Sequence, residues 1–370
     1  MDFVKWSKRP AAGVGSNRKG MNVVRGLAAR ATTPLLPDDY LGLVNPLWSA
    51  RELRGRVISV EKETEDTATV TVRAGWGFPI TYTPGQYVGI GVQLGGRWHW
   101  RSYSLTSAGE STDKIITVTV KANPDGFLSS HLVDGVAPGT IIRLAAPQGD
   151  FHLPEPLPEK LLFITAGSGI TPVMGMLRWL AAHGDMPDIV HIHSAPTRED
   201  VIFREELDTL TTKPGNYTLN LQLTRTEGKF DVTRLDEVAP DWRDRESWAC
   251  GPVALLDNLE AEYESEGLRD KLHIERFTIA RTDHGGEGGT LNFAISDKQV
   301  TLDGATTILE AGEDLGVQLP FGCRMGICQT CVVQLASGYV RDLRTGEERR
   351  EGERIQTCIS AVSGECTIDF

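Results

Sequence analysis

Four cysteines near the C-terminus constrain this chain more than any other feature. Cys323, Cys328 and Cys331 lie in the run Phe321-Gly-Cys-Arg-Met-Gly-Ile-Cys-Gln-Thr-Cys331, spaced C-x4-C-x2-C, and Cys358 follows after a longer excursion. This is the spacing by which thiolates hold a [2Fe-2S] cluster, so the stretch reads as an electron-transfer site. Gly322 and Gly326 allow the backbone to bend around such a group and turn amide N–H groups toward sulfur. A structural zinc site usually draws its ligands from two separate C-x2-C knuckles, and a disulfide set is rarely kept by a chain with no visible signal peptide. Both remain as weaker readings of the same residues.

Around these cysteines, residues 290–370 resemble ferredoxins of the plant and vertebrate type, with Cys323-Arg324-x-Gly326-x-Cys328-x-Thr330-Cys331 as the specific part. The resemblance implies a small α+β fold of the β-grasp kind, with the cluster near one edge. Residues 291–295 alternate like a strand, 299–302 fit a hairpin partner, and 307–315 read as a short helix capped by Thr306 or Thr307. Met325, Ile327 and Gln329 are bulkier than the commonest residues of that loop, which bears on potential and partner surface rather than on ligation.

The chain has 370 residues, enough for two or three domains, and its net charge of −12 argues against nucleic acid as a general partner. Of its six cysteines only Cys250 and Cys366 lie outside the cluster set, so a disulfide framework is not expected and a reducing cytoplasm is. The first 33 residues depart from the rest: seven basic residues against one acidic give a formal charge of plus six. Val23, Val24, Leu27 and Ala28 would share one face if the segment were a short helix. Residues 1–50 are therefore read as a basic extension followed by an irregular, proline-rich strap over 34–48, a solvated arm or, alternatively, a peripheral contact through residues 1–33 with the inner face of the cell membrane.

Residues 51–153 carry short alternating runs at 56–60, 67–72, 86–92, 115–121 and 140–145, separated by Gly, Pro and Asp turns, which is the pattern of an antiparallel barrel. Within it stand Arg101-Ser102-Tyr103-Ser104, Lys121 and Gly126-x-x-Ser129. These motifs resemble the ferredoxin-NADP reductase superfamily, over residues 51–280. An arginine fork suits a diphosphate, an aromatic ring stacks on an isoalloxazine, and a hydroxyl meets the flavin edge. The resemblance implies that Arg101 and Ser102 bind the cofactor, that Tyr103 and Ser104 flank its reactive ring, and that Gly126, Ser129 and Lys121 meet the phosphates. It favours FAD, with FMN left open; a plain strand with alternating faces is the bland account of Tyr103 and Ser104.

From residue 154 to 280 the pattern turns to apolar runs at 161–165, 189–194 and 219–223 with intervening helical stretches, as in an α/β parallel sheet. Gly167-Ser-Gly169-Ile-Thr171-Pro172 follows the first run, where glycines admit a dinucleotide phosphate to a helix N-terminus. Thr224-Arg225, or Arg198 after Thr197, offers a hydroxyl and guanidinium to a 2′-phosphate, hence NADPH; solvated surface arginines are the alternative. Cys250-Gly251-Pro252 resembles the superfamily's C-G-P turn, which implies that Cys250 lies beside the nicotinamide, and Glu275-Arg276-Phe277 resembles its E-R-F ending, which puts Phe277 over the flavin. Residues 281–289 are glycine-rich, a linker whose nine residues reach roughly 15 to 18 Å.

These readings make an oxidoreductase chain, NADPH to FAD to [2Fe-2S] to a partner protein, with the flavin converting a two-electron donor to one-electron steps. The domain order resembles reductase components of aromatic or phenylacetyl-CoA oxygenases. The strap and basic arm look closer to reductases of bacterial membrane di-iron enzymes, fatty-acyl desaturases and alkane hydroxylases, and the expected role is fatty acid desaturation or hydroxylation. A redox sensor without turnover is the reading from another class.

Overall fold

Strands whose apolar side chains fall on alternate positions close into a barrel in the first part of the molecule. The structure, a computed structural model, describes residues 37–49, 52–94, 97–109, 113–123, 127–184, 186–212, 216–277, 288–321, 326 and 329–370. The basic arm, Gly126, residues 281–287 of the linker, and Gly322, Cys323, Arg324, Met325, Ile327 and Cys328 lie outside these described residues.

The strap is helical where an irregular segment was expected: α1 spans Pro37–Val44 and a 3-10 turn spans Pro46–Trp48. Both prolines open their helix, a position where the missing N–H would have had no partner anyway. The barrel strands are β1 (Arg54–Thr64), β2 (Thr67–Ala74), β3 (Tyr87–Leu94), β4 (Arg97–Ser104), β5 (Ile115–Lys121) and β6 (Ile141–Leu144), antiparallel in the order β4-β3-β6-β1-β2-β5. A bridge between Leu105 and Val118 closes the ring. Ala68, Val70 and Val72 of β2 and Ile116, Val118 and Val120 of β5 fill it, each buried valine or isoleucine contributing about 1.5–3 kcal/mol. Helix α2 (Phe127–Asp134) packs on β2 and β5 through Leu128 and Leu132.

The second unit is a five-stranded parallel sheet, in order β11-β10-β7-β8-β9, built from β7 (Lys160–Ala166), β8 (Asp188–Ala195), β9 (Tyr217–Leu223), β10 (Glu246–Cys250) and β11 (Leu272–Glu275). Both faces are covered by helices, which is why Leu161, Leu162, Phe163 and Ile164 run apolar without alternation. The covering helices are α3 (Ile170–His183), α4 (Arg204–Thr212), α5 (Thr224–Glu227), α6 (Leu235–Val238) and α7 (Val253–Ser265). Strand order reverses at β7, so a crevice opens beyond its C-terminal end, where such sheets bind ligands. Arg178 of α3 joins this unit to the barrel: it donates to Thr106 O at 2.8 Å while its guanidinium pairs with Glu206.

The third unit pairs β12 (Gly289–Phe293), β13 (Lys298–Leu302), β14 (Val332–Asp342), β15 (Glu348–Arg350) and β17 (Ser360–Ile368) in the order β13-β12-β17-β14-β15, with β12 and β17 parallel. A short strand, β16 (Arg354–Gln356), pairs with β14. Helix α8 (Ile308–Asp314) lies against this sheet, begun by a reciprocal Thr307–Glu310 capping box. The expected strand over 291–295 starts two residues earlier and stops at Phe293, because Asp297 takes a positive φ of 50° in the turn to β13. The three-unit fold is thus an antiparallel flavin barrel, a parallel α/β sheet and a β-grasp domain.

Candidate functional site

Two adjoining clefts lie where the barrel meets the C-terminal ends of the parallel strands. The first is lined by Tyr87, Ser102, Tyr103, Ser104, Thr119 and Lys121 from the barrel and by Ser168, Thr171, Glu275 and Phe277 from the parallel-sheet unit. The second runs along Gly167, Ser168 and Gly169, past Ser194, Thr224 and Lys229, to Gly251 and Pro252. Phe277 and Lys121 line both, so the two spaces share a wall.

In the first cleft Ser104 Oγ and the Tyr103 hydroxyl are closed off from bulk solvent, with no hydrogen-bond partner among the described residues. Burial pushes the Tyr103 phenol upward, so it stays protonated. Two buried, unanswered hydroxyls beside an aromatic ring fit a flavin, whose ring edge offers acceptors and whose face stacks. Lys121 is ion-paired with Asp66 at 2.6 Å and still borders the cleft. Arg101 is placed differently from Ser102 to Ser104: it is not part of the cleft lining, and its Nη1 donates to Trp100 O at 2.8 Å. Ser129 accepts from Asn123 N–H at 3.0 Å, tying down the approach to α2.

Glu275 entered the sequence reading only as the first residue of the E-R-F ending, with no role of its own. As a residue it is half-buried, but its Oε2 is shut off from solvent and has no partner among the described residues. Burial pushes its carboxyl up to about 8. Glu275 is in register with Cys250, and Cys250 with Thr165. Thr165 in turn bonds the rings of His191 at 2.8 Å and His193 at 2.7 Å. The ends of four parallel strands therefore present a buried polar row beneath the clefts. Cys250 itself is fully buried, and its thiol is pushed well up by burial and then by Glu275, so it is no thiolate nucleophile.

The second cleft has the shape a dinucleotide needs. Gly167, with φ 53°, and Gly169 form a 3-10 turn at the N-terminus of α3, whose first turn includes Thr171 and Pro172. Gly169 meets Cys250: a Cβ there would lie 2.1 Å from the Cys250 carbonyl oxygen, so only glycine lets the turn approach the C-G-P segment. Thr224 borders the cleft, whereas Arg225 is exposed outside its lining. Arg198 is engaged elsewhere, paired with Asp208 at 3.0 Å, and Thr197 with Asp200 at 2.8 Å. Lys229 lines the cleft on the side of Thr224, whereas Lys121, the other lysine of the lining, is shared with the first cleft; the place of Lys229 five residues after Thr224 was the only signal for it.

In the third unit Cys331 and Cys358 are both buried, their sulfurs 3.3 Å apart. That separation is far beyond a disulfide and about half an ångström short of the roughly 3.8 Å between two thiolates at about 2.3 Å on one tetrahedral metal. The pair fits a shared iron of a [2Fe-2S] cluster; Cys323 and Cys328 lie outside the described residues. Phe321, two residues before Cys323, meets the ring of His99 on β4 edge-on, with centroids 6.2 Å apart.

Three families match successive parts of the chain: the oxidoreductase FAD-binding domain over residues 54–153, the oxidoreductase NAD-binding domain over 163–274, and the 2Fe-2S iron-sulfur cluster binding domain over 293–363. An NADPH oxidoreductase of Mycobacterium tuberculosis is 56% identical over 366 residues, covering 98% of this chain and 96% of that protein. A glycine betaine monooxygenase reductase subunit of Pseudomonas aeruginosa is 27% identical, over 87% of this chain and 96% of its own. Among solved structures, phthalate dioxygenase reductase shares the fold, with a TM-score of 0.59 at 22% identity over 86% of this chain and 98% of that one.

Proposed function

Because the chain belongs to the FAD- and NAD-binding reductases that carry a C-terminal [2Fe-2S] domain, we propose that it takes hydride from NADPH and delivers single electrons to an oxygen-activating iron protein. Bound FAD supplies the conversion from two-electron to one-electron chemistry. One strand carries this reading: β4 contributes Ser102, Tyr103 and Ser104 to the flavin cleft and, three residues before Ser102, the ring that meets the cluster loop. Phe277 walls the flavin from the nicotinamide cleft, the Gly167–Gly169 turn receives a diphosphate, and Ser104 orients the flavin edge. An anaerobic titration tests it. NADPH bleaches both flavin and iron-sulfur absorption, and a protein in which neither bleaches would be a sensor or binding module instead.

Selection of NADPH over NADH falls to Thr224 and Lys229 at the adenosine end of the cleft. A charge-assisted bond to a phosphate contributes about 1.5–3 kcal/mol. Lys229→Ala is therefore expected to raise KM for NADPH roughly 10- to 100-fold while leaving NADH almost unchanged. Steady-state kinetics with both nucleotides decides, and an equal loss for the two would exclude a 2′-phosphate contact.

The acceptor has two readings. The glycine betaine monooxygenase reductase subunit among the relatives supports an oxygenase component, here read as a soluble one. A membrane fatty-acyl desaturase or hydroxylase is favoured by the strap: Leu43 and Val44 are 78% and 75% exposed, and Trp48 and Trp76, which border one apolar groove with Lys114, are exposed too. Apolar and tryptophan side chains next in sequence to a basic arm suit a lipid interface. Among the described residues no helix is long and apolar enough to cross a membrane, so such contact would be peripheral. Full-length protein is expected to float with anionic liposomes and Leu43→Ser/Val44→Ser protein to float less. Equal recovery of both below the lipid layer would leave the soluble oxygenase as the acceptor.

A further inference from the structure

The carbonyl of Gly326, which stands between Cys323 and Cys328 in the chain, accepts two side-chain hydrogen bonds, from Gln356 Nε2 at 2.8 Å and from Arg344 Nη1 at 3.3 Å. Neither donor belongs to the cysteine loop. Gln356 ends β16, two residues before Cys358, and Arg344 follows β14 in the turn to β15. Arg344 is itself held: the Asp342 carboxylate, almost buried, accepts its backbone N–H at 2.9 Å and lies 3.5 Å from its guanidinium. The same carboxylate accepts from Thr345 N–H at 3.3 Å, which fixes the turn.

Gly326 has φ 70°, in the left-handed region, and a Cβ there would lie 2.8 Å from the guanidinium carbon of Arg344 and 2.7 Å from Ile359. The guanidinium thus packs directly on the loop backbone. A trans peptide holds its C=O and N–H on opposite edges, so anchoring the carbonyl also orients the other edge of that unit. The acidic Glu347 and Glu348 nearby are engaged with Arg349 and Arg341.

We propose that Arg344 and Gln356 are positioning residues that clamp Gly326 and so preset the cluster-binding loop, and that the Arg344 charge raises the reduction potential of the centre bound there. The proposal rests on the [2Fe-2S] reading of the cysteines. A fixed positive charge stabilises the more negative reduced form, one of the levers by which proteins set cluster potentials. The two donors separate these effects: Gln356 supplies a hydrogen bond without charge, whereas Arg344 supplies both.

The test uses full-length holoprotein, as wild type, Gln356→Leu, Arg344→Lys and Arg344→Leu, with iron and sulfide content, EPR of the reduced cluster and a dye-mediated potential titration. In Arg344→Leu the ratio of reduced to oxidised cluster at a set potential is expected to fall about tenfold, equivalent to about 59 mV for one electron. Arg344→Lys keeps most of the wild-type ratio. Gln356→Leu keeps the potential but loses iron faster to a chelator and broadens the EPR signal, while the flavin potential stays put in all four. An Arg344→Leu protein that fails to assemble a cluster, beside an Arg344→Lys protein that does, supports the clamp. An unchanged potential in iron-replete Arg344→Leu, or an equal shift in Arg344→Lys, overturns the charge effect, and wild-type chelator kinetics in Gln356→Leu overturn the clamp. Wild type that takes up no iron would fail the cluster reading itself, an outcome distinct from all of these.

Discussion

Serine in place of Cys358 is expected to leave a flavoprotein that still oxidises NADPH with ferricyanide but no longer serves a one-electron protein acceptor. Cys358 and Cys331 face each other at 3.3 Å in a pocket closed to solvent, with Ile355 and Ile359 in the same apolar cluster. A serine hydroxyl there is a hard, protonated donor where the metal needs a soft anionic sulfur. Disturbing even an outer partner of a metal ligand typically costs 10–100-fold, so removal of a ligand should lower protein-acceptor turnover by at least about a hundredfold. Ferricyanide reduction draws on the flavin alone and should stay within about twofold, since none of the residues lining the two clefts is touched. Cys366→Ala is the matched control: this thiol is also fully buried, but burial pushes it up to about 12 and its strand neighbours are Leu291 and Gly338. It should keep iron, spectrum and acceptor activity. Parallel loss of ferricyanide and protein-acceptor activity in Cys358→Ser would mean that the cysteine supports the whole fold rather than a cluster, and full retention of both would remove the cluster from the electron path.

The cysteines proposed as ligands stand out in the sequence because metal geometry dictates such a spacing, independent of what surrounds them. Much the same holds for Gly169: the turn needs a residue with no Cβ, and the chemistry shows in the letter itself. Strand β4, Arg-Trp-His-Trp-Arg-Ser-Tyr-Ser, alternates only at Trp98 and Trp100 before Tyr103 falls out of phase, so its motif announced it where periodicity did not. The proline-rich strap reads as irregular from its composition, yet Pro37 and Pro46 each begin a helix. Glu275 and Lys229 escaped for a different reason. A carboxylate becomes chemically unusual only when strands β10 and β11 pair and bury it, and a lysine becomes a cleft residue only when the fold sets it beside Thr224, Gly251 and Pro252. The partnership of His191 and His193 with Thr165 and Tyr217 likewise joins three strands, and local sequence contains none of it.

The same buried carboxyl gives the second large effect. Glu275→Gln is expected to make the protein more stable than wild type in alkaline buffer and no more stable in acid. Free of the fold, this carboxyl loses its proton near its ordinary value of 4.5; in the folded protein burial holds the proton until about 8. Between these values the folded chain binds the additional proton, so its stability falls as pH rises through that window, and the loss is complete above the upper value. A shift of this size corresponds to a loss on the order of 3 to 5 kcal/mol. The histidines act on the other side: burial pushes His193 down to about 4 from 6.5, so stability also falls as pH drops through that range. The two windows overlap between 4.5 and 6.5, where the opposing slopes offset each other, so wild type should be most stable there and lose stability on either side, and glutamine, which cannot ionise, should remove only the alkaline loss. Melting followed by flavin release at intervals from pH 5 to 9 would show the two proteins together at the acid end and separated by on the order of 10 °C above pH 8. The readout reaches function as well, since a neutral carboxyl can donate a hydrogen bond into the flavin cleft and an ionised one cannot. The rate of flavin reduction by NADPH should lose an ionisation near pH 8 in the variant. A stability difference that stays flat across the range would show that Glu275 ionises normally, and the hydrogen-bond role in the cleft would fall with it.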